Sequence, residues 1–408
     1  MNNWVTKLQK YRARIKDHEG DIHAWASLDW DFVERQVADL DSWPKSKRGP
    51  LYGVPFGVKD IFDTVDLPTT YGSEIYKGTQ PVSDAASVAR LRAAGAIIMG
   101  KTVSTEFAYL KPTKTKNPID FSRTPGGSSS GSAAAVADKM IPFALGSQTA
   151  ASIIQPASYC GVIGFKPTWG LISTAGVKTL ASSLDTVGVI AETVGCVSDV
   201  VTILTGAPDF LNNLEIFNPP NLAILFSPEW TSASTKSLIH FSKAVSLARA
   251  SGANINEGKV PVLFENLASE QAQLMAYEAT RDLAYERHVY FDQLSQPLRD
   301  LFFQGEGISA KEYLSINQNR AWALCSIEEL FGDSDALLAP STVDIAPKTE
   351  EGTGDPVMSR TWTLLGLPSI TLPCGYSKNG LPFGLQIACR PRDDSKLLAI
   401  AQWFERIL

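Results

Sequence analysis

The stretch Gly126-Gly-Ser-Ser-Ser-Gly-Ser-Ala-Ala-Ala-Val-Ala-Asp-Lys-Met-Ile-Pro-Phe-Ala-Leu-Gly146 passes from a glycine-bracketed serine cluster into small helix formers and then into a short apolar run. Alanine is the strongest helix former and adds little bulk, so Ser132 to Met140 predicts a helix able to sit deep inside a fold. Ile141 to Leu145 predicts a buried strand that ends at Gly146. The serine cluster then lies at a helix N-terminus, and Thr149-Ala-Ala-Ser152 lies just past a strand end. Upstream, Ala85 to Ala94 reads as a helix and Ala96-Ile-Ile-Met99 as a fully apolar strand. That alternation points to an α/β fold with parallel strands and covered sheet faces. Loops at strand ends are where open α/β sheets place ligands.

Working outward, residues 1–45 carry Val5, Leu8, Tyr11 and Ile15, then Phe32, Val33, Val37 and Leu40, at helical spacing. They predict amphipathic helices packed on a larger body. Residues 51–62 read as a strand followed by a turn. Ala268 to Phe303 reads as one long, charged helical stretch, in a region (200–335) that is otherwise uninformative. Strand-like runs return at Ala336-Leu-Leu338, Pro368 to Leu372 and Gly380 to Gln386, followed by a helix near Lys396 to Ile407. Without repeats, low-complexity blocks or a linker, the reading is one compact domain over 1–408. Its parts are the N-terminal helices (1–45), a core that holds the serine cluster (50–190), a middle region (200–335) and a C-terminal part of the sheet (336–408).

The composition excludes several function classes. The chain of 408 residues is 44% hydrophobic and 20% charged, as expected of a globular protein with a large core. A net charge of −6 argues against non-specific binding to nucleic acid or an anionic membrane. The five cysteines are widely spaced with no CxxC, which speaks against a disulfide framework or a zinc site. No metal or cofactor is implied. The N-terminus shows no signal-peptide pattern, and no run reaches the ~18 apolar residues of a spanning helix. The expected location is the cytoplasm.

The chemistry lies in hydroxyls and one lysine. A serine nucleophile needs a neighbouring base to take its proton. The four histidines, His18, His23, His240 and His288, lie in no setting that suggests such a role. A Ser-His-Asp triad assembles in space, so spacing leaves it open, but nothing supports it. Lys59 lies inside the apolar stretch Leu51-Tyr-Gly-Val-Pro-Phe-Gly-Val-Lys-Asp-Ile-Phe62. Desolvation would pull its pKa down and let it act as the base. A bridging hydroxyl would relay the proton, which gives a second serine a purpose. Gly126 and Gly127 allow a tight turn that aims Ser128 inward, although Ser128 also fits a helix cap. The consecutive N–H groups of Thr149, Ala150, Ala151 and Ser152 suit an oxyanion hole. Ser129 suits a supporting hydrogen bond. Lys166 and Asp185 read as structural, and Glu106 as half of an ion pair. Residues 126–131 lack the Gly-Lys-Ser/Thr of a phosphate loop.

Gly126 to Ala137, Pro142 to Ala157 and Cys160-Gly-Val-Ile-Gly-Phe-Lys-Pro-Thr168 together resemble the signature of the amidase signature family. Gly53-Val-Pro-Phe-Gly-Val-Lys-Asp60, Ser183-Leu-Asp-Thr-Val-Gly188 and Gly380-Leu-Pro-Phe-Gly-Leu-Gln386 resemble further segments of it, in the same order. The resemblance implies a large mixed, twisted sheet with helices on both faces. It implies Ser152 as nucleophile, Ser128 as a bridging serine after a cis Gly127–Ser128 peptide bond, and Lys59 as base. The implied reaction is hydrolysis of a small-molecule carboxylic amide through an acyl-enzyme, with no nucleic-acid or membrane partner. A homodimer is allowed but not required.

Departures from the pattern set the alternatives. The usual Thr-Gly-Gly-Ser is Thr149-Ala-Ala-Ser152, which strains the loop if either alanine needs a positive φ. Gln148 replaces the common Asp, and Ser130 replaces a glycine. Where many members carry an arginine just after the nucleophile, used by some to hold a substrate carboxylate, this chain has Ile154 and Gln155 as the candidate substrate-binding positions. The loss of that cation argues against malonamate-like acids and a glutamine carboxylate held from this spot. Two other readings stay open. One is the glutaminase component of an amidotransferase that passes ammonia to a partner. The other is a catalytically impaired homologue with a binding or structural role.

Overall fold

The computed structural model describes residues 3–207 and 219–408, with side chains from Leu8 onward. The burial expected of Val5 lies outside the described residues. The chain opens with α1 (Asn3–Ile22), β1 (Trp25–Leu28) and α2 (Trp30–Asp41). Asp29 caps α2 by accepting from the Phe32 N–H. Next come β2 (Pro55–Lys59), α3 (Ala86–Ala93), β3 (Ile97–Thr102), α4 (Ser130–Ala137), β4 (Phe143–Gln148), α5 (Ile154–Cys160), β5 (Ile163–Lys166), β6 (Thr186–Ala191) and α6 (Val194–Thr205). The second half comprises β7 (Asn221–Phe226), α7 (Thr235–Ala250), β8 (Asn254–Lys259), α8 (Leu267–Asp282), α9 (Ala284–Tyr290), α10 (Gln296–Glu306), α11 (Ala310–Cys325) and α12 (Ile327–Phe331). It closes with β9 (Ala336–Pro340), α13 (Val357–Leu364), β10 (Ser369–Tyr376), β11 (Pro382–Ala388) and α14 (Asp394–Ile407).

The strands form one 11-stranded sheet in the order β1-β3-β2-β4-β6-β5-β10-β11-β9-β7-β8. It is mixed. The pairs β2–β3, β2–β4, β7–β8 and β7–β9 are parallel, and the remaining pairs are antiparallel. The alternation around residues 85–145 therefore correctly indicates parallel neighbours there, while β10 and β11 form a hairpin. The two faces are filled separately, as the period of two in a strand requires. On β4, Phe143 and Leu145 join the core under α3, α6, α7 and α14, and Ala144 faces the core under α1, α2 and α4. A third apolar cluster lies among α8, α10, α11 and α13. Among the described residues, no helix is long and apolar enough to cross a membrane.

Three local features refine the sequence reading. A short edge strand, β1, separates the two N-terminal helices and pairs with β3. The stretch 268–303 is not one helix: it breaks near Leu283 and again before α10, whose first turn holds Pro297. Helix α4 is buried on all sides from Ser130 to Val136. At Gly131 a Cβ atom would meet Ala24 O at 2.1 Å and Val103 N at 2.3 Å, so the glycine that closes the serine cluster is needed for close backbone approach.

Candidate active site

Strand β2 ends at Lys59, and its parallel pairing with β4 sets Val58 beside Leu145. The Lys59 side chain thereby comes to the serines beyond the end of that pair. Its Nζ donates to Ser128 Oγ at 2.7 Å and to Ser147 Oγ at 2.8 Å, with Ser147 O at 3.5 Å. Lys59 is fully buried. Burial lowers its pKa to about 7, against a smaller opposing pull from the Asp185 carboxylate. An exposed strand-end lysine is thus excluded. Ser147 received no role from the sequence. The signal for it was a polar pair, Ser147 and Gln148, closing a strand whose every residue is buried.

Ser128 follows a cis Gly127–Ser128 peptide bond, and Gly126 supplies the turn with φ +85°. The Ser128 carbonyl accepts from Thr105 N at 3.2 Å, and Ser130 Oγ donates to Gly126 O at 2.6 Å. Ser129, not Ser128, occupies the N-cap position of α4, and it makes no side-chain cap. Its hydroxyl instead donates to Ser147 O at 3.4 Å.

The loop from Thr149 to Ser152 is held from outside. Gln271 Nε2 donates to Thr149 O at 2.7 Å, Thr363 Oγ1 to Ala150 O at 2.7 Å, and Gln155 N to Ala151 O at 2.9 Å. Carbonyl and N–H point opposite ways in a trans peptide, so the N–H groups of Ala150, Ala151 and Ser152 turn the other way. Among the described residues none of these three has a protein acceptor. Neither alanine has a positive φ. The strain feared for Ala150 and Ala151 is therefore absent. Gln148 completes the support: its Oε1 accepts from Ile153 N at 2.9 Å and Ile154 N at 3.1 Å, and its Nε2 donates to Thr363 at 3.0 Å. Asp185 accepts from Thr149 Oγ1 at 2.5 Å and from Leu180 N at 2.8 Å, and burial raises its pKa to about 6.

Ser128, Ala150, Ala151 and Ser152 line one cavity. No hydrogen bond joins Ser152 to Ser128 among the described residues. Catalytic contacts of this kind often close only with substrate bound. Gln155 lines the cavity, but its amide nitrogen is committed to Tyr159 Oη at 3.3 Å and Asp355 O at 3.1 Å. Ile154 is corrected: it is fully buried at the start of α5 and takes no part in the cavity wall. Arg360 of α13, which no motif marked, lines the cavity instead. Elsewhere, Lys166 donates to Pro167 O at 2.9 Å, and Glu106 pairs with Lys111 at 3.6 Å while accepting from Ser73 and from Ser295 N.

The chain is similar to known proteins over almost all of its length. The profile of the Amidase family matches residues 7–398. The A subunit of the glutamyl-tRNA(Gln) amidotransferase of Lysinibacillus sphaericus is 32% identical, over 96% of this chain and 91% of that one. A crystal structure of an amidase superposes with TM-score 0.90 at 29% identity, covering 98% of this chain and 95% of the other. The native peptide amidase of Stenotrophomonas maltophilia superposes with TM-score 0.84 at 26% identity, covering 99% and 93%. With the sheet, the buried lysine and the serine cluster in place, the chain belongs to the amidase signature family.

Proposed function

We propose that this chain is an amidase that hydrolyses a small carboxylic amide through an acyl-enzyme on Ser152, with Ser128 relaying protons to Lys59. The observation that carries the reading is a buried lysine with a pKa of about 7, set 2.7 Å from one serine that shares its cavity with a second. A neutral amine has two N–H donors and one lone pair. Ser147 Oγ and Ser147 O take the donors, which leaves the lone pair for the Ser128 proton. Ser152 Oγ then attacks the amide carbon as its own proton passes to Ser128. The developing oxyanion rests on the N–H groups of Ala150, Ala151 and Ser152, each such donor being worth roughly 3–4 kcal/mol. The proton returns through Ser128 to the nitrogen that leaves. Water, deprotonated along the same path, frees the acid.

The test is labelling by a fluorophosphonate probe together with amide turnover. Wild type is labelled at Ser152, and Ser152→Ala loses both labelling and hydrolysis. Activity retained in Ser152→Ala sinks the mechanism. A second reading, a glutaminase component serving a partner, is favoured by relatives named as amidotransferase A subunits at 32–33% identity. It predicts that the tagged chain purifies from its own cells with a stoichiometric partner and that glutamine is its best amide. Purification alone, with glutamine no better than other amides, removes it. A binding-only role rested on the two alanines, and their negative φ takes away its motive.

A further inference from the structure

One charged side chain lines the cavity that holds Ser128 and Ser152, and the proton relay does not use it. Arg360 reaches the cavity from α13. Among the described residues no carboxylate lies within ion-pair distance of it. The Asp355 carboxylate acts on it only from beyond that distance, and its Oδ1 accepts from Val357 N at 2.9 Å. Arg360 Nη1 donates to Gln271 Oε1. A guanidinium carries five donors, and a half-buried one facing an amide oxygen alone is poorly compensated. The surroundings sharpen the mismatch. Leu110, Leu180 and Met275 make much of the wall apolar, which strengthens any charge interaction there. Two more residues with polar side chains line the same space: Tyr109, and Thr105, whose Oγ1 is buried without a hydrogen-bond partner among the described residues. The set fits an anionic oxygen group on the ligand.

We propose that the substrate attacked by Ser152 carries a carboxylate on its acyl part, and that Arg360 pairs with it. The substrate class is the short-chain monoamide of a dicarboxylic acid, whose carboxylate end would meet Arg360 while its amide meets Ser152 on the same cavity wall. The inference rests on the amidase reading above. The bonds are those of amide hydrolysis: the acyl C–N bond breaks as the bond to Ser152 Oγ forms. Water then replaces Ser152, and the products are the dicarboxylate and ammonia.

Matched pairs test this: succinamate against butyramide, and glutaramate against valeramide. Wild type turns over the charged member with kcat/KM roughly 100-fold higher or more, as expected for a desolvated charge pair. Arg360→Gln loses that ratio, and Arg360→Lys keeps part of it, because lysine lacks the bidentate fork. The ratio is the readout, so a general loss of activity does not mimic the effect. A readout without turnover runs beside it. Succinate or glutarate protects Ser152 from the fluorophosphonate in wild type and not in Arg360→Gln, with Arg360→Lys used if the glutamine variant does not fold. Equal turnover of both members in wild type, a preference that survives Arg360→Gln, or labelling that dicarboxylates never slow overturns the proposal and leaves the amidase standing. Failure of Ser152 to label at all overturns both.

Discussion

Lys59 Nζ donates to Ser147 Oγ across 2.8 Å, nearly as closely as it approaches Ser128 Oγ at 2.7 Å. In the proposed relay Ser147 is therefore a positioning residue for Lys59, aiming the lone pair of the neutral amine at Ser128. Ser147→Ala removes one of the two acceptors that fix the amine. The expected result is a fall in kcat of about 10-fold for amides, the equivalent of one ordinary hydrogen bond. Ser147→Thr keeps the hydroxyl and restores most of the rate. Ser128→Ala loses far more, on the order of 10³-fold, because it cuts the relay. Steady-state kinetics on one amide separates the three; a Ser147→Ala variant as damaged as Ser128→Ala makes Ser147 part of the relay itself.

The pH profile follows from the state of Lys59. Burial holds its pKa at about 7, so the ammonium form dominates below that value and the free base above it. The base is the active form. Amide kcat/KM should rise with pH through about 7 and then level off. The Asp185 carboxylate favours the ammonium, so Asp185→Asn moves the limb to lower pH. A limb near the ordinary lysine value of about 10 refutes the assignment.

In the proposed mechanism Lys59 also returns the proton to the leaving group. An amine needs that proton, and an activated phenol does not. Lys59→Ala should lose amide hydrolysis by a much larger factor than p-nitrophenyl ester hydrolysis. Equal losses on both argue against Lys59 as the source of the leaving-group proton.

Ala150 and Ala151 sit where the family pattern has glycine, yet both have negative φ. Glycine there brings no relief of strain and adds freedom to the unfolded chain. Ala150→Gly and Ala151→Gly should each leave kcat within about twofold and lower stability by about 0.5–1 kcal/mol. Thermal melting and kinetics measure this. A large gain in rate means that the alanines distort the oxyanion loop.

Much of this site was legible because its parts are local. The serine cluster and the apolar frame around Lys59 are patterns of adjacent residues, and β2 and α4 formed within a few residues of where the patterns placed them, while β4 runs past the expected end at Gly146 to Gln148. Gln271 and Arg360 were not legible, for a physical reason. Gln271 and Arg360 sit on α8 and α13: tertiary packing brings Gln271 to a loop 122 residues earlier in the chain, and sets Arg360 against Gln271 and the cavity wall. The edge strand β8, Asn254–Lys259, escaped because its residues are mostly exposed and polar, without the alternation a half-buried strand shows. The break in 268–303 had a signal in Pro297, which helical charge spacing obscured.

Gln271 links the two halves of the site. Arginine can only donate, so Arg360 fixes the orientation of the Gln271 amide: Oε1 faces Arg360, and Nε2 must face Thr149 O, which it meets at 2.7 Å. That bond turns the Ala150 N–H away from Gln271 and, in the proposed mechanism, toward the oxyanion. Gln271→Leu frees the Thr149 carbonyl and should lower kcat about 10-fold with little change in KM, because an oxyanion donor acts mainly in the transition state. Gln271→Glu separates the two roles. Its carboxylate can pair with Arg360 but cannot donate to Thr149, so kcat falls as in Gln271→Leu. The carboxylate also satisfies Arg360 internally, so the preference for a charged acyl part collapses. A Gln271→Glu enzyme that keeps wild-type kcat shows that the Thr149 carbonyl needs no external donor to hold the loop.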